Sequence, residues 1–203
     1  PRLVALGFKG KIHTTRATCD LLAVMLPDSA HIQEKEAEYA NLNRFRKDMD
    51  RRNKKSGLPQ RDIAPLYTVA QAQASLRQLN PVDYDLEIAP HPQVRCTFRD
   101  AGHILGSAIV EVWVGEGAHR RKIVFSGDIG QPARPLLRDP THIHDADYLV
   151  VESTYGNRDH KSMEATQDEL VEAINDTIER KGGNVIIPAF AVGRIQEVLY
   201  LIC

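Results

Sequence analysis

Three apolar stretches of this 203-residue chain each run into a short polar turn, and each turn carries one side chain able to hold a metal or a proton. Val94–Arg99 leads into Asp100-Ala-Gly-His103-Ile-Leu-Gly-Ser-Ala, Lys122–Ser126 into Gly127-Asp128-Ile-Gly130, and Tyr148-Leu-Val-Val into Glu152-Ser-Thr-Tyr-Gly156. Runs of β-branched residues closed by Gly, Asp and Ser read as strands with tight turns at their ends. The spacing of His103, Asp128 and Glu152 is almost even, so the fold has to bring successive strand ends together before these residues can share a site.

The surrounding pattern supports an α/β chain. Lys11–Thr14 reads as a strand and Thr15–Leu26 as a helix with Leu21, Leu22, Met25 and Leu26 on one face. The charged stretch from Ser29 to about Arg52 carries Ile32, Tyr39, Leu42 and Phe45 as one thin apolar stripe, expected to be buried. Asn53–Pro59 reads as a loop. Thr68-Val-Ala-Gln71 is a capping box that opens a helix to about Leu79, which Asn80-Pro81 ends.

Beyond it the period falls to two over Val94–Arg99, Ala108–Val114 and Lys122–Ser126, the last two joined at Gly115-Glu-Gly-Ala. Tyr148–Glu152 is continuously apolar up to its final acid and is expected to be covered on both faces. After Arg158 the pattern becomes a helix closed by Gly182-Gly183, a buried strand over Asn184–Pro188 and a helix from Gly193. This change of pattern predicts a domain boundary near residue 158, separating 1–158 from 159–203.

Composition excludes little. A net charge of −1 argues against a globally basic nucleic-acid binder but leaves room for a local basic groove. Cys19, Cys96 and Cys203 are odd in number and far apart, which argues against a disulfide framework or a zinc knuckle and for a reducing cytoplasm. No apolar run approaches the ~20 residues of a membrane span, and no signal peptide opens the chain. The chain starts without Met and stops inside a helix-like run, so both ends read as cut and an internal piece of a longer protein is expected.

Imidazole and carboxylate are together the usual ligand set of a hydrolytic zinc site, and aspartate can bridge two metals. Each residue also has a plainer reading. His103 could hydrogen-bond its own loop, Asp128 is a good turn residue between glycines, and an acid ending an apolar strand needs only a salt bridge. Thr141-His-Ile-His144-Asp-Ala-Asp147 mimics a ligand cluster but sits in a linker and is not read as a metal site. His13, His31, His91, His119 and His160 are read as surface residues.

In order along the chain, the three turn motifs and Ile187-Pro-Ala-Phe-Ala-Val-Gly-Arg194-Ile-Gln-Glu resemble the β-CASP branch of the metallo-β-lactamase-fold hydrolases, an RNA-processing family. The resemblance is dense over 94–203 and looser over 1–50. It implies a partial metallo-β-lactamase αββα sandwich, lacking its N-terminal strands and running into the start of an α/β β-CASP domain. It further implies His103 as the single-histidine metal ligand, Asp128 as the aspartate bridging two zinc ions, and Glu152 as an acid near the leaving-group oxygen. Gly193 and Arg194, at a helix start, would contact RNA phosphate, although Arg194 could equally form an interdomain salt bridge.

On this reading the complete protein is a zinc-dependent ribonuclease that cleaves RNA with a metal-activated water. The family's His-x-His-x-Asp-His motif is absent from these residues. Little nuclease activity and no tight zinc binding are therefore expected of residues 1–203 alone. An exposed sheet face also makes a homo-oligomer an expectation. A catalytically inactive scaffold paralogue and a small-molecule hydrolase of the same fold, such as a thioesterase or lactonase, are the alternatives.

Overall fold

A computed structural model describes residues 1–50, 62–159 and 162–202, with the side chains of 47–50 excluded. The expected loop at 53–59 and His160 lie outside the described residues. Two compact units divide the chain at Asp83 and Tyr84.

In the first unit, helix α1 (Arg2–Ala5) precedes strand β1 (Ile12–Thr15), helix α2 (Arg16–Asp50), helix α3 (Val69–Leu76) and strand β2 (Leu79–Val82). Asn80 and Pro81 do not end α3. They lie in β2, which pairs parallel with β1, Thr14 opposite Pro81. Proline is tolerated there because β1 and β2 form a sheet of two strands, in which each has an open edge.

Helix α2 continues through Pro27 for 35 residues, although an interior proline removes a backbone donor and crowds the preceding turn. Tertiary anchors hold the later part in place. Ala30 and Ala37 are buried, and the same face uses polar side chains to grip residues 63–69. Asn41 exchanges two hydrogen bonds with the Ile63 backbone, both 2.9 Å. The Leu66 N–H donates to Gln33 Oε1 at 3.1 Å and the Val69 N–H to Glu34 Oε1 at 2.9 Å.

The expected buried stripe is therefore wrong. Ile32, Tyr39, Leu42 and Phe45 are all exposed, Tyr39 at 67%; Ile32 and Tyr39 lie on the other side of the helix from the gripping residues. Thr68 caps α3 as expected, with its side chain accepting from the Gln71 N–H and Gln71 returning the bond.

The second unit is built on a five-stranded mixed sheet, β3 (Glu87–His91), β4 (Val94–Asp100), β5 (Ala108–Val114), β6 (Arg121–Phe125) and β7 (Tyr148–Val150), in that spatial order. All neighbours are antiparallel except β6 and β7. Strand β3 was not expected, since Pro90 and a single large apolar residue, Ile88, hide it.

Ala101, Ile109 and Val124 form the core cluster, with Ile143 packed on it. On the same face of β5 as Ile109, Glu111 is buried and receives Arg99 Nε at 2.6 Å and Lys122 Nζ at 2.7 Å. Burial alone would push the Glu111 carboxyl up, but the hydrogen bonds and charges of Lys122 and Arg99 outweigh it and hold the group below its ordinary value.

Two strand expectations fail. Strand β7 is exposed, Leu149 at 61%, because it ends the sheet and only β6 pairs with it. Asn184–Pro188 forms no strand among the described residues, and Ile186 is 87% exposed. An apolar run becomes a strand only where a neighbouring edge takes up its backbone groups. Helices α4 (Met163–Asn175) and α5 (Arg194–Ile202) form as read, and the glycine pair follows a π-helical extension of α4. The fold is α/β with mixed sheets.

Candidate functional site

The turn after β4 is built by its own side chains. Asp100 Oδ1 accepts the Gly102 N–H at 2.9 Å, and Ser107 Oγ accepts the N–H groups of His103 and Ile104 at 3.2 and 3.3 Å. Gly102 adopts φ +62, which an L side chain rarely does. The turn after β6 is tied to it by backbone, the Gly130 N–H donating to Ala101 O at 2.8 Å. These two ties bring His103 Nε2 to 3.7 Å from Asp128 Oδ2.

The turn after β7 joins through Ser126 and Ile129. Glu152 N–H donates to Ser126 Oγ at 3.3 Å, and Glu152 Oε1 accepts the Ile129 N–H at 2.7 Å. That backbone hydrogen bond, one from the Thr154 side chain and the nearby His103 hold the Glu152 carboxyl below its ordinary value, despite slight desolvation. Glu152 is therefore ionised at neutral pH and suited to accepting or orienting a proton. It does not carry one by default.

A cleft of about 320 Å³ contains every residue singled out from the sequence: His103, Asp128, Glu152, Gly193 and Arg194 all line it. Gly193 adopts φ +95, and a Cβ there would stand 2.9 Å from Ile104 Cγ2, so the start of α5 packs against the His103 turn. Gln196 reaches back to accept the Gly193 N–H at 2.8 Å, and Arg194 lies 3.7 Å from Glu197. This ion pair lies within one helix and is not the interdomain salt bridge that the sequence left open.

Imidazole nitrogen and carboxylate oxygen at this separation fit a divalent cation in donor chemistry. Their number does not complete a site, for no group of three or more His, Cys, Asp or Glu placed to hold a metal occurs among the described residues.

Similarity to known proteins runs over the whole chain. It is 31% identical to ribonuclease TTHA0252 of Thermus thermophilus over 202 residues, all of this chain and 39% of the relative. It is 29% identical to transcription termination factor FttA of Methanocaldococcus jannaschii, covering 28% of that protein. The corresponding factor of Pyrococcus horikoshii is 33% identical over 198 residues, 26% of its length. No family model matches the chain. The chain belongs to the β-CASP RNA-processing family. It spans well under half the length of these relatives.

Two acids of the Thr141–Asp147 segment brace the sheet. Asp145 accepts from Lys122 Nζ at 3.0 Å and Asp147 from the Lys122 N–H at 2.7 Å. His13 departs from the surface reading, being half-buried with Nδ1 3.1 Å from the Asn80 amide. His31, His91 and His119 are exposed as expected. Cys19 and Cys96 are free thiols. No helix among the described residues is long and apolar enough to cross a membrane. Sequence reading passed over Arg134, Thr154 and Tyr155 as cleft residues. Only Thr154 and Tyr155 carried a signal, as members of the Glu152 motif.

Proposed function

We propose that this chain is part of a metal-dependent ribonuclease of the metallo-β-lactamase fold, acting on RNA phosphodiester bonds in the cytoplasm. The observation that carries the reading is the meeting of His103, Asp128 and Glu152, from three separate strand ends, in one cleft bordered by Gly193 and Arg194. The ribonuclease name of one relative over the full chain supports it.

His103 and Asp128 would hold zinc. When bound, two zinc ions supply a water of lowered pKa and offset charge on the attacked phosphate. The chain's own groups do the rest. Glu152, kept ionised by the Ile129 N–H, holds a proton in transit near the leaving oxygen, and the Arg194 guanidinium pairs with a phosphate. The bond within the β4 turn at Gly102 and the turn-to-turn bond from Gly130 to Ala101 fix the separations without help from a ligand.

Cleavage of a labelled single-stranded RNA by the full-length protein tests the reading, with zinc content measured alongside. Asp128→Ala is expected to abolish cleavage and lower bound zinc while leaving the thermal midpoint intact. Cleavage that survives in this variant would overturn the assignment. A wild-type protein that binds RNA but never cuts it would point instead to a scaffold.

A further inference from the structure

Arg134 belongs to none of the motifs legible in the sequence, yet it lines the cleft that holds His103, Asp128 and Glu152. It also lines a second groove of about 790 Å³, which shares Gln131, Tyr155 and Arg194 with the cleft. The residue is half-buried. A guanidinium has five N–H donors, and among the described residues one acceptor serves it, Gln131 Oε1 at 2.7 Å. No carboxylate among the described residues pairs with it, whereas Arg194 has Glu197. A cation partly withdrawn from water without a counter-ion is unfavourable until an anion comes to it.

The backbone around Arg134 is also held in an unusual form. Ala133 and Leu136 have φ +58 and +70, the left-handed region that residues with a side chain rarely occupy. Strain of this kind persists only where neighbours impose it, and it collects at functional sites. Here the Ala133 N–H is held by Asp139 Oδ1 at 2.7 Å, and the Thr141 N–H by Asp100 O at 2.9 Å. The loop is thus tied to the strand that presents His103. Asp159, Glu164 and Glu169 line the second groove and would repel a polyanion running along it.

We propose that Arg134, its guanidinium steadied by Gln131, binds a backbone phosphate of single-stranded RNA in the cleft, beside the phosphodiester that is cleaved. A planar fork matches two phosphate oxygens, which a lysine point charge does not. The inference rests on the ribonuclease reading and adds a phosphate subsite to it.

Binding of a fluorescein-labelled single-stranded RNA decamer to the full-length chain, followed by anisotropy in EDTA over a sodium chloride series, tests it without turnover. Arg134→Ala is expected to weaken binding on the order of tenfold and to reduce the slope of log K against log salt by about 0.7, one phosphate contact on a single strand. Arg134→Lys is expected to keep the slope and still bind more weakly than wild type. Arg138→Ala removes a charge from the same loop but from neither cavity, and is expected to change neither quantity. If Arg134→Ala does not fold, Arg134→Met, which keeps the apolar stem, takes its place with the same expectation. A neutral variant with wild-type affinity and slope overturns the subsite and leaves the ribonuclease reading standing. A wild-type chain that does not bind the decamer overturns both.

Discussion

The backbone of Gly130 runs so close to Gly102 that a Cβ at position 130 would overlap the Gly102 carbonyl and stand 2.7 Å from the His103 nitrogen. The missing side chain of Gly130 thereby allows the β4 and β6 turns to approach closely enough to put His103 beside Asp128. Gly130→Ala has to push these turns apart. The expected loss is about 3 kcal/mol, in the range of overpacking at a site that cannot relax, read from urea denaturation. The variant should lose RNA cleavage in the full-length protein more completely than it loses stability.

Gly193 makes the corresponding contact with Ile104. Gly193→Ala adds a methyl group 2.9 Å from Ile104 Cγ2 at φ +95 and should cost about 1–3 kcal/mol. Trimming the neighbour in Gly193→Ala/Ile104→Ala removes the clash but not the backbone strain. A double-mutant cycle is therefore expected to show a coupling energy that partly restores the single variant.

Glu111, Arg99 and Lys122 predict an acid-labile fold. The Glu111 carboxyl is held below its ordinary value in the folded chain, so its contribution is complete above the ordinary carboxylate range. That contribution is lost as pH falls through the depressed folded value. Glu111→Gln leaves two cations facing a neutral group and should lose about 3 kcal/mol at pH 7. Its thermal midpoint should then vary less than that of wild type between pH 5 and pH 3.

Glu152→Gln separates position from charge. The amide oxygen can still accept the Ile129 N–H that Glu152 Oε1 accepts now, so the thermal midpoint should move little. Removal of the charge from the proton path should lower RNA cleavage by the full-length protein about 10²-fold or more. A variant that cleaves like wild type would show that Glu152 only braces the turn.

Asn41 is the clearest test of how α2 is held. Its side chain makes both bonds to Ile63, and Asn41→Ala strands a backbone donor and acceptor together. A loss of about 2 kcal/mol is expected in thermal or urea unfolding. Ala substitution at exposed Tyr39 should change little.

Much of the site was legible because its instructions are local. Asp100, Gly102 and Ser107 shape the His103 turn within a few residues of it, and Thr68 with Gln71 caps α3 in the same way. Arg134 was not legible, since its half-buried position depends on a loop tied to a strand some thirty residues earlier in the chain. The apolar stripe of α2 was misread because periodicity shows which residues share a face but not which face is covered.

The amino-acid sequence by itself determined the turns, the caps, the alternation of β4 to β6 and the order of motifs that marks the family. Tertiary structure decided that α2 passes through Pro27, that Asn80 and Pro81 belong to β2, that β7 is an edge and that Asn184–Pro188 pairs with nothing among the described residues. It also decided that His103, Asp128 and Glu152 meet in one cleft. The physical reason is the range of the interactions. A turn or a cap satisfies its backbone groups within a few residues, whereas a strand, a buried face or a shared site exists only when a distant segment supplies the other half.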